Sequence, residues 1–369
     1  MIPILYEKTE HSFSTHGLGS IPVWRELTVT EERADGENGE FFLEGFVPIG
    51  SRNSDQIAVE RIISCAPAPE RAGYSPMQPF RIRRVTKEGN FLHVLAQHVS
   101  VELRENIMAP VGFAGSAVWS TVQDMFDALF NSTVNNYVFP PVSGRFSFAS
   151  DIVPTQATQV DMSDPMTVRA WLSMVQGIFG GEFDFDGFSV TLNGARGQNR
   201  GVEIAYGKNL DTLEYVTDTE GLVTGYYCYC RKNNGYKGAI AYSDNVSDFA
   251  YPRVVSVDLS EQFETVPTDQ QMQAAADAYA AAQNDNYIPT SITVTAVPAE
   301  FQKVWLCDTV TVVHPVYQLR QTAKVVKTVF DPIREKYTAV TIGEIQTRIT
   351  DTIAAILKGG NYSAKRARI

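Results

Sequence analysis

Apolar and polar residues alternate through Trp24–Arg33 and Glu40–Ile49, and the polar, glycine-bearing stretch Ala34–Gly39 between them predicts a hairpin. After the proline-rich run Ala66–Pro69, the stretches Pro79–Lys87 and Phe91–Val101 predict a second hairpin around Glu88-Gly89-Asn90. The first hundred residues therefore read as an antiparallel sheet or barrel. A helical period then takes over. Val118, Val122, Met125, Phe126 and Leu129 form one stripe across Ser116–Phe130. A second helix is expected to begin at Asp164-Pro165 and carry Val168, Leu172, Val175 and Phe179, with Gly180-Gly181 ending it.

Between Phe183 and Leu192 the pattern predicts a hairpin with Asp186-Gly187 at its turn, pairing Phe185 with Phe188 and Phe183 with Val190. Phe183, Phe185, Phe188, Val190 and Leu192 then share one face, opposite Asp184, Ser189 and Thr191. The helix from Pro165 is the nearest layer to cover that face. Thr268 and Gln271 have capping-box spacing before an alanine-rich helix to about Asn284, which should be a surface or bracing helix. Strands resume at Ser291–Val297, Thr309–Val313, Ala323–Phe330 and Lys336–Ile342, followed by a final helix over about Glu344–Leu357.

The length of 369 residues allows two or three domains, and 44% hydrophobic with 20% charged residues describes a folded globular chain. Its 20 Phe and 16 Tyr favour strand over helix. The net charge is -11, and the terminal Lys365, Arg366 and Arg368 leave -14 for the rest. So acidic a body repels phosphates, which argues against a nucleic-acid grip outside a local patch. The basic tail reads as a solvated terminus. No signal peptide or apolar run of about 20 residues is present, so neither secretion by signal nor a membrane span is expected.

Four cysteines make no disulfide framework, and Cys228 and Cys230 fall on one strand face with Tyr227 and Tyr229 on the other. No second cluster follows to complete a zinc site. His93 and His98, five apart, point to opposite faces of a strand, and His314 precedes Pro315 at a strand end. The chain lacks a His-Glu-x-x-His helix, a phosphate loop and a Gly-x-Ser-x-Gly elbow, and Gly194, Gly197 and Gly201 miss the dinucleotide spacing. Asp184 and Asp186 read as hairpin carboxylates, and Arg81, Arg83 and Arg84 as a solvated strand surface. No catalytic, cofactor-binding or metal residue is expected.

The later strands carry a resemblance. Arg200-Gly-Val-Glu-Ile-Ala-Tyr-Gly-Lys-Asn-Leu210 resembles the central signature of the phage minor structural proteins, also called the prophage endopeptidase tail family. Asp308–Val312 and Phe330-Asp-Pro-Ile-Arg-Glu-Lys-Tyr337 are similar to that family's closing motifs, in the same order. Leu27–Glu32, Gln78-Pro-Phe-Arg-Ile82 and Gln97-His98-Val99-Ser100 fit its opening half, so the resemblance spans about residues 1–345. Cys307 departs from it, because family members often carry glycine there.

The resemblance implies a mainly β fold with α+β insertions, in which two β-barrel hub domains accompany smaller α/β domains, as in contractile-phage baseplate hubs. Residues 1–102 would form the first barrel and 103–200 an insertion holding two helices and the Asp-Gly hairpin. Residues 201–345 would form the second barrel, with a helical insertion at 258–290, and 346–369 a helix and basic tail. The implied function is a structural hub at a siphophage tail tip, made in the bacterial cytoplasm. Three copies would adapt a hexameric tube to threefold tip structures and form part of the DNA channel. Implied partners are the distal tail protein ring, the tape measure C-terminus and receptor-binding or tip proteins, with no stable membrane insertion. Tyr206, Gly207, Lys208, Asn209, Leu210, Asp331, Pro332 and Arg334 match family positions and are read as structural or interfacial. The chain stops short of the lysin region of longer members, so no enzyme activity is expected. Two alternatives stay open, a tail-associated peptidoglycan hydrolase and a carbohydrate-binding module.

Overall fold

In the computed structural model the described residues are 1–34, 39–108, 116–131, 145–154, 157–161, 165–206, 210–217, 222–244, 246–282, 287–296, 303–316 and 319–348. They divide into two compact units. Unit 1 comprises residues 1–213, 293–313 and 322–342, and unit 2 comprises 214–292, 314–321 and 343–369.

Unit 1 opens with β1 (Ile4–Tyr6), β2 (Gly19–Ser20), β3 (Arg25–Glu32), β4 (Phe41–Pro48), β5 (Ile62–Cys65), β6 (Gln78–Glu88) and β7 (Phe91–His98). Both predicted hairpins are present, β3 with β4 and β6 with β7. Pairing runs β3-β4-β7-β6-β5-β1-β2, every contact antiparallel. Strict alternation along β4 and β7 turns Leu43, Val47, Leu92, Val94 and Ala96 inward against Leu5, Val29, Phe80 and Ile82. Each of the Leu, Val, Ile and Phe side chains contributes about 1.5–3 kcal/mol on burial. β7 stops at His98, earlier than its apolar pattern suggests, because the His98 ring accepts the Ser100 N–H and starts a 3-10 turn over Val99–Arg104.

An α/β insertion follows, with β8 (Ile107–Met108), β9 (Ser116–Trp119), α1 (Val122–Phe126), β10 (Ser147–Ser150), β11 (Thr158–Asp161), β12 (Met166–Thr167), α2 (Val168–Phe179), β13 (Glu182–Asp186) and β14 (Ser189–Asn193). The helix expected from Ser116 starts only at Val122. Ser116–Trp119 pairs with β11 instead, and the Thr121 hydroxyl caps the helix by accepting the Asp124 N–H. Likewise α2 begins three residues after Pro165, where Thr167 accepts the Ala170 N–H.

The aromatic hairpin forms, but its register differs from the expected one by two. Phe185 faces Val190 and Phe183 faces Leu192, so Gly187-Phe188 is the two-residue loop. Gly187 has φ 59°. A primed turn that takes positive φ only at its first central residue needs glycine there, whereas an Asp186-Gly187 centre would have asked it of Asp186 as well. A shift of two preserves the faces. Phe183, Val190 and Leu192 are buried against Val168, Trp171, Leu172 and Val175 of α2, as expected, and against Phe126 of α1. β10 adds a parallel strand beside β14 that the sequence did not reveal.

The chain continues through β15 (Asn199–Ala205), β16 (Leu210–Thr217), β17 (Gly225–Lys232), β18 (Gly235–Tyr242), β19 (Val254–Asp258), α3 (Asp269–Ala282), β20 (Tyr287–Ala296), β21 (Thr309–His314), β22 (Leu319–Asp331) and β23 (Lys336–Arg348). Within unit 1, β21 lies parallel to β15, and Lys327–Phe330 of β22 pairs with β3. Glu344–Arg348, expected to be helical, extends β23 instead, continuing a β-branched run through Val340, Thr341 and Ile342. The rest of that expected helix and the basic tail lie outside the described residues. The fold is mainly β, and the strand path of its largest sheet does not close on itself among the described residues.

In unit 2, β17 is central, antiparallel to β18 and parallel to β19. The α3 helix covers one face, packing Met272 and Ala276 on Tyr226, Cys228 and Cys230. Both halves of the predicted capping box form, since Gln271 Oε1 accepts the Thr268 N–H at 2.9 Å and Thr268 Oγ1 accepts the Gln271 N–H at 3.3 Å.

Candidate functional site: buried polar seams in unit 1

The motif residues of the opening half meet in space. Gln78 starts β6, and its Oε1 accepts the Gly187 N–H at 2.7 Å and lies 3.2 Å from His98 Nε2. Its Nε2 donates to Asp186 Oδ1 at 2.6 Å. His98 Nδ1 faces Ser100 Oγ at 2.9 Å and accepts the Ser100 N–H at 3.2 Å. One chain of hydrogen bonds therefore joins the sheet to the turn of the aromatic hairpin. Burial lowers the His98 pKa to about 3, so the ring is neutral at physiological pH. A Ser–His pair can suggest a nucleophile, but this ring is 1% exposed and spends Nδ1 on the start of a turn. It holds backbone in place.

Arg81 lies two residues beyond Pro79 and is buried, contrary to the solvated strand expected for Arg81, Arg83 and Arg84. Its guanidinium donates to Glu102 Oε1 at 2.8 Å and to the carbonyls of Lys8 and Glu60 at 3.0 and 2.8 Å. Glu102 also receives Arg145 at 2.7 Å, from the segment leading into β10. The register irregularity between Ile82 and Arg84 breaks the simple alternation of β6, and the 3-10 turn brings Glu102 over it. Arg83 pairs with Glu105 at 2.9 Å.

A third cluster is the most charged. One Arg196 Nη atom lies 2.7 Å from Glu31 Oε1 on β3 and 2.9 Å from Asp184 Oδ1 on β13, while the Arg196 N–H donates to Glu182 Oε2 at 3.0 Å. Lys324 Nζ reaches the other Glu182 oxygen at 2.6 Å. Burial opposes the Arg196 charge, but Glu31 and Asp184 more than offset it and hold the group charged. Breaking such a buried pair leaves an uncompensated charge, which is why it fastens structure. Glu31, Asp184 and Arg196 also line a cleft together with Tyr74 and Trp305.

The closing motifs form a related cluster. Asp308 is fully buried and accepts the Gln198 and Trp305 N–H groups at 2.7 and 3.0 Å and Arg200 Nε at 3.2 Å. Cys307 has φ 68°, in the left-handed region that favours glycine. Burial pushes its thiol up to about 12, so it remains protonated. Asp331 is buried, and its Oδ1 accepts the Ile333 and Arg334 N–H groups at 3.0 and 2.9 Å, shaping the β22–β23 turn. The Arg334 guanidinium is exposed beside it, 3.1 Å from Oδ2. The carbonyl of Pro332 accepts the Met1 ammonium at 3.0 Å.

Of the other family-matching positions, Tyr206 is exposed at the end of β15 with its N–H on the Val313 carbonyl at 3.1 Å, and Leu210 begins β16. Gly207, Lys208 and Asn209 lie outside the described residues. The described family-matching positions thus fall at the end of β15, the start of β16 and the β22–β23 turn. The residues that do converge, Glu31, Asp184, Arg196 and Lys324, went unsingled in the sequence except for Asp184. Among the described residues no three metal-ligating side chains cluster, and no helix is long and apolar enough to cross a membrane. The four cysteines are free and buried.

Residues 198–353 match the family described as prophage endopeptidase tail. No curated protein matches the chain in sequence. Among solved structures, prophage tail protein gp18 from Listeria monocytogenes EGD-e aligns at TM-score 0.60 and 14% identity, covering 97% of this chain and 99% of its own. The prophage MuSo2 43 kDa tail protein from Shewanella oneidensis aligns at TM-score 0.60 and 12% identity, over 93% of this chain and 98% of its own. A tail protein from Neisseria meningitidis MC58 aligns at TM-score 0.60 and 10% identity, over 93% and 96%. At such identities the likeness is one of fold. This chain thus carries the prophage endopeptidase tail sequence pattern over residues 198–353, on a fold shared with phage tail proteins along nearly its whole length.

Proposed function

We propose that this chain is a structural hub subunit at the tip of a phage tail. The observation that carries the reading is the family match over residues 198–353 together with end-to-end fold similarity to prophage tail proteins. The buried seams support it, since they fasten the insertion to the sheet through Arg196, Glu31 and Asp184 and through Glu102, Arg81 and Arg145. In this reading residues 1–102 and 201–345 act as two barrel-like hub domains in the assembled ring, and three copies match a sixfold tube to a threefold tip. The partners are the distal tail protein ring, the tape measure C-terminus and tip proteins. The acidic surface suits a channel through which DNA slides without sticking. Tyr206 to Leu210 and the Asp331–Arg334 turn serve as structural or interfacial elements.

The test is the mass of the purified chain by light scattering, alone and mixed with its distal tail protein. A trimer, either alone or on the partner ring, is expected. A monomer indifferent to that ring contradicts the proposal. The word endopeptidase in the family description favours a second reading, a cell-wall hydrolase. Zymography on cell walls is expected to show no clearing by this chain, and a clear zone would put the hydrolase ahead.

A further inference from the structure

The sheet of unit 2 has a second face, opposite α3, and its chemistry differs from an ordinary solvated surface. Register places Gly225, Tyr227, Tyr229 and Arg231 of β17 outward, beside Tyr242, Ile240, Gly238 and Tyr236 of β18 and Val254, Ser256 and Asp258 of β19. Tyr227, Tyr236 and Tyr242 are 37%, 50% and 47% exposed.

The two glycines explain the ring poses. A Cβ on Gly225 would meet the Tyr242 ring at 2.8 and 3.1 Å, and one on Gly238 would meet Tyr227 Cζ at 2.7 Å. Both rings therefore pack closely against glycine backbone, and both keep ring surface exposed. Tyr229 and Tyr236 lie nearly parallel, at 23° with centroids 6.0 Å apart. Polar groups are interleaved with the rings. The Tyr236 and Tyr227 hydroxyls are 2.8 Å apart, the Arg231 guanidinium is 5.7 Å from the Tyr229 centroid, and the exposed Asp258 carboxylate accepts the Ser260 N–H.

Size and charge select the occupant. From strand rise and spacing the face measures roughly 20 by 10 Å, on the order of 200–300 Å². A standard protein interface takes about 800 Å² per partner, so this face alone is too small for one. A chain of net charge -11 disfavours a polyanion stacking its bases there. What fits is a ligand with flat C–H faces for the negative π-surfaces and hydroxyls for the surrounding polar groups. We propose that this face binds an uncharged oligosaccharide of β-linked hexopyranose units, stacked on Tyr227 and Tyr242. The site is independent of the hub role, and its test requires no tail assembly.

The full chain is titrated with cellohexaose and with chitohexaose, which separate a plain hexose polymer from an N-acetylhexosamine polymer, and followed by calorimetry and by tyrosine ring-proton shifts. Saturable binding of at least one sugar is expected, with Kd of about 1 mM or tighter, and with the Tyr227 and Tyr242 ring protons moving in the unaltered chain. Tyr242→Ala and Tyr227→Ala, checked for an unchanged melting profile, are expected to weaken it about tenfold or more. Gly238→Val, which lifts the Tyr227 ring while keeping it, is expected to weaken binding, and Tyr236→Phe to retain most of it. The proposal is overturned if neither sugar binds, or if binding survives both tyrosine variants. It is overturned equally if those variants alter only self-association or partner binding, which would make the face a protein contact.

Discussion

In unit 1 the insertion is fastened to the sheet by buried charge, Arg196 between Glu31 and Asp184 and Glu102 between Arg81 and Arg145. In unit 2 the helix is fastened to its sheet by Met272, Ala276 and tyrosine packing, and its capping bonds lie on the surface. The difference teaches where each unit is vulnerable. A charge seam fixes geometry narrowly and fails when one partner is removed, because the survivors stay buried. An alanine-faced helix on a three-stranded sheet tolerates small changes and opens more easily, since it buries little apolar bulk.

The largest expected effect follows from breaking the seam. Arg196→Met strands Glu31 and Asp184, and is expected to cost about 3–5 kcal/mol in urea unfolding. Hydrogen exchange should place the loss in β3 and β13 and leave β17 and β18 unchanged; a loss spread evenly over both units would break the comparison. Next, Met272→Ala removes the main apolar side chain under α3 and should cost about 2–3 kcal/mol, confined to unit 2 by the same readout.

Acid sharpens the contrast further. Between about 6.5 and about 3 the unfolded chain carries a proton on His98 that the folded chain refuses. Stability from this group is therefore fully present above about 6.5 and falls as pH drops toward about 3. His98→Gln, which keeps a side-chain hydrogen-bonding group there, is expected to flatten that part of the stability–pH curve; an unchanged slope would show that His98 is not the group responsible. The smallest effect is expected from Thr268→Ala, about 1 kcal/mol through the lost cap, read as fraying of the first turn of α3.

Legibility in the sequence followed the range of the interaction. The Thr268–Gln271 cap, the β3–β4 and β6–β7 hairpins and the shared face of Phe183, Phe185, Val190 and Leu192 are local, and each was readable from spacing. The hairpin register slipped by two because two primed turns compete for the same glycine, and pattern alone does not choose between them. Arg196 reaches a carboxylate 165 positions away, and Lys324 one 142 away, so no window of sequence contains either seam. Arg81 was misread because its cover comes from elsewhere in the chain, where Glu102 of the 3-10 turn and the carbonyls of Lys8 and Glu60 close over its strand face. Cys307 was legible only as a departure from glycine, and the left-handed backbone there gives that departure its physical meaning. The tyrosine face was half legible. The period of that run separated Tyr227 and Tyr229 from the thiols, but only the register of β18 brings Gly238 and Tyr242 beside them.

The central claim, a structural subunit at a tail tip, is tested most directly by antibody labelling of intact virions that carry this chain, viewed by electron microscopy. The account predicts label confined to the end of the tail distal from the head, in every particle. Virions without label, or with label on the head or along the tube, would contradict it.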